Sequence, residues 1–115
     1  MGLEWKIEDN SDIILHAKEE AIFNALDDVG LHLAGEAADE LENDPRRVDT
    51  GRLKGSITHE VDGHTLIVGT PVEYAPYVHE GTRYMDANPF LKNAFERNID
   101  QVERYIMEHL QSAQT

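Results

Sequence analysis

The spacing of hydrophobic and polar positions changes several times along the chain, and each change predicts an element. Leu3, Trp5 and Ile7 alternate with Glu4, Lys6 and Glu8, the two-residue period of a short half-buried strand. Asn10, Ser11 and Asp12 follow as N-cap candidates. From about 12 to 43, Leu15, Ile22, Leu26, Val29, Leu33, Ala37 and Leu41 recur at spacings of three, four or seven. That predicts a long helix with one buried stripe, flanked by Ala21, Ala25, Ala34 and Ala38. Gly30 and Gly35 each weaken a helix by ~1 kcal/mol relative to alanine. They mark either a bend or a place where another backbone comes close. Asn43-Asp44-Pro45 ends the helix, because a residue before proline disfavours the helical region.

A polar, basic stretch from Arg46 to Ser56 reads as a loop with one short helical turn, capped by Asp49 or Thr50. Asp62-Gly63 then separates two β-rich runs, 57–61 and 64–69, which is a hairpin signature. With Asp62-Gly63 as the two-residue turn, Val61 faces His64 and His59 faces Leu66. One face then holds Ile57, His59, Val61, His64, Leu66 and Val68, and this face is the core candidate. Val72 to Val78 predicts a short helical turn on the sheet. Asn88 as N-cap and Pro89 as first helical residue open a last helix running to about 111. Its stripe is Leu91, Phe95, Ile99, Val102, Ile106 and Leu110. The order defines one α+β domain over 1–115, with a small antiparallel sheet covered on one face by two long helices.

Composition adds limits. The chain has 115 residues, enough for one modest core, with 40% apolar and 29% charged residues. No run approaches the ~20 apolar residues of a membrane span. The acidic start lacks a signal-peptide pattern, so the expectation is a protein made and kept in a cytoplasm. There is no cysteine, hence no disulfide or thiolate chemistry. Net charge is −13 and uneven: residues 1–44 hold 13 acidic and 2 basic side chains. That balance lacks the basic footprint of a general DNA binder. It predicts a solvated acidic helix face, a surface for a basic partner, or one that repels DNA.

Candidate chemistry is sparse. No pair of histidines has a metal-ligand spacing, although His59 and His64 are candidate diagonal neighbours on the hairpin. His79 and Glu80, taken as a strand, point to opposite faces and do not converge. Ser56 is not in a Gly-x-Ser-x-Gly elbow, and no Gly-rich phosphate loop is present. The basic segment Arg46–Lys54 is expected to pair with the acidic first helix or a neighbouring subunit rather than with phosphate.

Three segments carry a resemblance. Asp49-Thr-Gly-Arg-Leu-Lys-Gly-Ser-Ile57, Val68-Gly-Thr-Pro-Val-Glu-Tyr-Ala-Pro-Tyr-Val-His-Glu-Gly-Thr82 and Asn88-Pro-Phe-Leu91 occur in order after a long helix. Together they resemble a family of minor tail and tail-completion proteins of long-tailed phages and prophages, over about residues 12–111. The motif residues are Thr50, Gly51, Arg52, Leu53, Ser56, Gly69, Gly81, Pro89 and Phe90. The resemblance implies a non-enzymatic virion structural protein at the head–tail junction, assembled in the host cytoplasm. It implies a homo-oligomeric ring, neighbouring neck or tail proteins as partners, and no cofactor.

Physical roles stand beside it. Thr50 and Ser56 can brace turns through side-chain-to-backbone hydrogen bonds. Gly51, Gly69 and Gly81 allow backbone shapes closed to other residues. The segment 74–85 is the expected subunit contact, with Tyr74, Tyr77, Val78, Arg83, Tyr84 and Met85, a composition favoured at interfaces. No specific nucleic-acid or membrane binding is expected. Two other functions stay open: an acidic binding module of DNA-mimic or decoy type, using Asp27, Asp28, Asp39 and Glu40, and a metal-dependent hydrolase using His59 and His64.

Overall fold

The computed structural model describes residues 2–8, 17–42, 50–83 and 86–114. Among these residues seven elements follow in chain order: β1 (Leu3–Glu8), α1 (Glu19–Glu42), α2 (Thr50–Gly55), β2 (Thr58–Asp62), β3 (Thr65–Thr70), α3 (Ala75–Glu80) and α4 (Phe90–Gln114). The three strands form one antiparallel sheet in the order β1-β3-β2. The long helices α1 and α4 pack on each other and on one face of it, the α+β arrangement the periodicity predicts.

The first strand forms where alternation places it. Leu3, Trp5 and Ile7 pack against the core, while Glu4, Lys6 and Glu8 are exposed on the other side. The same alternation puts Leu66 and Val68 of β3 inside, both fully buried, beside the partly buried Val61 of β2. Helix α1 buries Ile22, Leu26, Val29, Leu33, Ala37 and Leu41, the stripe read from its spacing. Helix α4 buries Leu91, Phe95, Val102, Ile106 and Leu110.

Several expectations need correction. Helix α1 starts at Glu19 rather than near 12: residues 17 and 18 are not helical, and the Lys18 carbonyl accepts the Ile22 N–H at 3.0 Å. Leu15 and the caps proposed at Asn10, Ser11 and Asp12 lie outside the described residues, as do Asp44 and Pro45.

The hairpin turns one residue later than expected. Asp62 pairs with Thr65, Val61 with Leu66 and His59 with Val68, so Gly63-His64 makes the turn. Gly63 has φ +59° and among the described residues no non-glycine residue has positive φ, which is the pattern of a type II′ turn. The shift moves each partner by two residues along β3, so every side chain keeps its face. The core face was therefore legible although the register was not. His64 leaves that face for the turn, which ends its proposed diagonal with His59.

In α4 the stripe departs from its pattern at one place. Ile99 is partly exposed, and Asn98 is buried in its stead. Asn98 is satisfied there: its Nδ2 donates to the Ala94 carbonyl at 2.7 Å, and its Oδ1 accepts from His32 Nε2 at 3.2 Å. The helix also begins one residue later than expected. Pro89 precedes it, and its carbonyl accepts the Asn93 N–H at 2.8 Å.

The two helix glycines behave differently. A Cβ on Gly30 would run into the His59 ring and the Leu66 side chain, so this glycine lets α1 settle onto the sheet. A Cβ on Gly35 would meet nothing within 4 Å.

Candidate functional site

The motif residues gather where α2, the end of β3, α3 and the start of α4 meet. Leu53 of α2 is fully buried and anchors this short helix to the core. Directly after it, Ser56 Oγ donates to the Leu53 carbonyl at 2.6 Å and lies 2.6 Å from Thr70 Oγ1. Because the serine proton goes to Leu53, the Thr70 hydroxyl donates to Ser56. Thr70 Oγ1 in turn accepts the Val72 N–H at 3.1 Å. One hydrogen-bond chain thus joins the exit of α2 to the exit of β3 and satisfies a buried threonine. Thr50 opens α2.

The glycines of the motif have three different roles. Gly81 has φ +80° and ends α3, its N–H donating to the Tyr77 carbonyl at 2.9 Å, as the freedom of glycine requires. Gly69 does not have positive φ; a Cβ there would strike the Leu3 carbonyl oxygen, so it serves the close approach of β1. Gly51 has neither constraint, and the expectation of a special backbone shape fails for it and for Gly69.

Arg52 reaches across to the loop before α3. Its two terminal nitrogens lie 3.5 and 3.4 Å from the Glu73 carboxylate, and its guanidinium carbon is 5.5 Å from the centre of the Tyr74 ring. A backbone hydrogen bond and then the Arg52 guanidinium hold the Glu73 carboxyl below its usual range. Lys54 pairs with Glu42 at the end of α1, at 3.1 Å. The basic segment thus pairs within the chain where it is described, once with α1 and once with Glu73; Arg46 and Arg47 lie outside the described residues.

His79 and Glu80 stand at the end of α3, not on a strand. His79 is buried and ties three elements together. Its ring lies 5.8 Å from Trp5 of β1 and 5.3 Å, edge on, from Phe90 of α4. Its Nε2 accepts the Lys92 N–H at 3.3 Å. Lys92 is the third residue of α4, where the N–H has no partner inside the helix. Proline at the preceding position offers no side-chain oxygen, so a histidine from another element does the capping. Burial pushes the His79 pKa down; Glu80 works against this and Lys92 with it. The neutral ring is the form that can accept a hydrogen bond. A second tie closes the loop: the Asn88 N–H donates to the Val78 carbonyl at 2.9 Å.

The expected contact segment divides on inspection. Tyr77 is 62% exposed and projects from α3, and Arg83 is exposed. Tyr74 is half-buried under Arg52. Val78 is a core residue at 2% exposure, which removes it from the expected contact set. Its periodicity within a short helix was the signal available in the sequence. Tyr84 and Met85 lie outside the described residues.

The acidic helix α1 is largely engaged with its own chain. Asp27 accepts from His59 Nε2 at 2.8 Å, and Asp28 accepts from the Tyr105 hydroxyl at 2.6 Å. That bond to Asp28 raises the Tyr105 pKa. Arg97 of α4 bridges Glu36, at 2.9 Å, and Glu40. Among the described residues no three His, Asp or Glu side chains are placed to hold a metal ion. His59 bonds Asp27 through Nε2, and Ser56 Oγ bonds the Leu53 carbonyl and Thr70. What the arrangement defines is an α+β scaffold whose motif residues join elements. Comparison with protein-family models, curated proteins and solved structures finds no match.

Proposed function

We propose that this chain is a non-enzymatic assembly protein of a tailed phage or prophage, acting at the head–tail junction or in tail completion as a homo-oligomeric ring. The observation that carries this is the ordered motif set, Asp49–Ile57, Val68–Thr82 and Asn88–Leu91, which resembles that of tail-completion proteins. The roles of those residues are compatible with it: Leu53, Ser56, Phe90 and Gly81 build joints. Tyr77 stands exposed on α3 for a neighbour, either another copy or an adjoining neck or tail protein. Aromatic side chains are usual anchors of such contacts. No cofactor enters the proposal, and its place of action is the virion.

The acidic-decoy alternative has less support. Asp27, Asp28 and Glu40 are bonded to His59, Tyr105 and Arg97, so three of the four carboxylates named for it are engaged inside the chain.

The test is assembly. Electron microscopy of the concentrated protein should show closed rings, and the protein should bind partially assembled tail or neck particles. Tyr77→Ala should keep the circular dichroism spectrum and reduce particle binding roughly tenfold. A protein that stays monomeric and ignores such particles would sink the proposal.

A further inference from the structure

Three histidines stand at three joints of the fold, and their Nε2 atoms play opposite parts. His59 joins β2 to α1: its Nε2 lies 2.8 Å from an Asp27 carboxylate oxygen, so it donates. His32 joins α1 to α4: its Nε2 lies 3.2 Å from Asn98 Oδ1, so it donates as well, with a Glu36 oxygen 3.6 Å away. His79 joins α3 to β1 and α4, and its Nε2 faces the Lys92 N–H at 3.3 Å. A backbone N–H can only donate, so this Nε2 accepts.

The difference decides how each joint meets a proton. A charged imidazole has two N–H donors and no acceptor. His59 and His32 keep their bonds in that form, beside a carboxylate in each case. His79 loses its bond, because an N–H then faces the Lys92 N–H. The charge also has no water around it: His79 is 5% exposed, with the Trp5 ring at 5.8 Å and the Phe90 ring at 5.3 Å. Among the described residues the charges that act on the ring are Glu80 of its own helix, which favours the proton, and Lys92 of α4, which opposes it. Glu4, Lys6 and Glu8 of β1 lie on the other side of that strand. An uncompensated buried charge is relieved by movement toward water. The element best able to move is α3, with six residues burying Ala75, Val78 and His79; α1 and α4 bury long stripes against each other and the sheet.

We propose that His79 is a proton-operated latch: its protonation lifts α3 off β1 and the start of α4, while the sheet and the α1–α4 pair stay folded. Lifting breaks two bonds across the joint, Lys92 N–H to His79 Nε2 and Asn88 N–H to the Val78 carbonyl. In the open form the ring meets water, and its pKa returns to the ordinary value near 6.5. In the closed form burial holds it lower. The open form therefore binds the proton more tightly, and acid favours opening. Between the two pKa values the ratio of open to closed rises roughly tenfold per pH unit. Tyr77 projects from the same helix, so a contact made through it is coupled to this proton; the latch itself does not depend on such a contact.

Hydrogen exchange of the full chain, followed amide by amide by NMR at pH 7.5 and 5.5 and corrected for intrinsic rates, tests the latch. Protection of the Lys92 and Asn88 amides should fall roughly tenfold at the lower pH relative to amides of α1 and β3. His79→Gln keeps an acceptor and does not titrate, so the same ratio should not change with pH. A fall shared equally by α1 and β3 would mean general loosening rather than a local opening. No fall at Lys92 and Asn88, or the same fall in His79→Gln, would mean that the ring does not operate the joint. Each of these results overturns the proposal. If His79→Gln does not fold, a wild-type titration decides: the His79 ring and the Lys92 amide should shift with one shared midpoint below 6.5, and separate midpoints overturn the latch.

Discussion

Two buried polar residues decide how the motif segment is held, and each does so through atoms that a hydrophobicity pattern does not register. Thr70 is inward-facing on β3 and would cost stability if unbonded; Ser56 and the Val72 N–H satisfy it. Thr70→Val leaves the Val72 N–H without its acceptor and should lower the free energy of unfolding by about 1–3 kcal/mol in urea titrations. Thr70→Ser, which keeps the hydroxyl, should cost clearly less. His79 works in the opposite electrostatic sense. Its folded pKa lies below the ordinary value near 6.5, so the unfolded chain takes up the proton first as pH falls. Its stabilising effect is complete above about pH 6.5 and is lost on acidification through that value toward the folded pKa. Thermal midpoints between pH 7.5 and 5 should therefore fall less steeply for His79→Gln, which keeps an acceptor but does not titrate. Trp5 is the only tryptophan and sits 5.8 Å from His79, so its emission should report the protonation with a midpoint below 6.5. A Trp5 emission curve identical in His79→Gln would remove this assignment.

Among the elements, the helices were more legible than the joints. Apolar spacing in α1 and α4 identified most of the buried positions, because a 25-residue helix repeats its stripe many times, though Phe90 and Ala94 are also buried. Ile99 was the exception: Asn98 finds both an acceptor and a donor, Ala94 and His32, and so displaces it. The hairpin shows a different limit. Asp-Gly is compatible with turns at 62–63 or 63–64, and the fold has the second. Glycines divide the same way. Gly30→Ala should destabilise by about 1–3 kcal/mol, since a methyl group there meets the His59 ring and Leu66. Gly35→Ala on the same helix should stabilise by about 1 kcal/mol, since its surroundings are open. Thermal denaturation of both variants separates the two; equal shifts would contradict the packing of α1 on the sheet.

For the whole molecule the charge distribution is the governing property. With a net charge of −13, copies repel at low ionic strength, and α1 holds eight carboxylates without a lysine or arginine. Within the chain this repulsion is reduced by cations delivered from elsewhere: Arg97 from α4 and Lys54 from α2. Arg97→Ala should leave Glu36 and Glu40 facing each other without a cation and lower stability by about 0.5–1 kcal/mol, an exposed-pair magnitude that shrinks in high salt. A loss that is independent of salt would mean that Arg97 acts by packing instead.

The amino-acid sequence alone determined the class of most of the described elements and the faces that go inward. It could do so because period, caps and turn residues act within a few positions of one another. Which side chains meet was decided only in three dimensions. The Ser56–Thr70 chain spans 14 residues, the Asp27–His59 bond 32 and the Arg97–Glu36 pair 61. At such separations local pattern carries no information, and partners follow from how α1 and α4 lie on the sheet. The same packing turned the segment 74–85 from one expected contact into a buried Val78, a histidine that caps α4 and an exposed Tyr77.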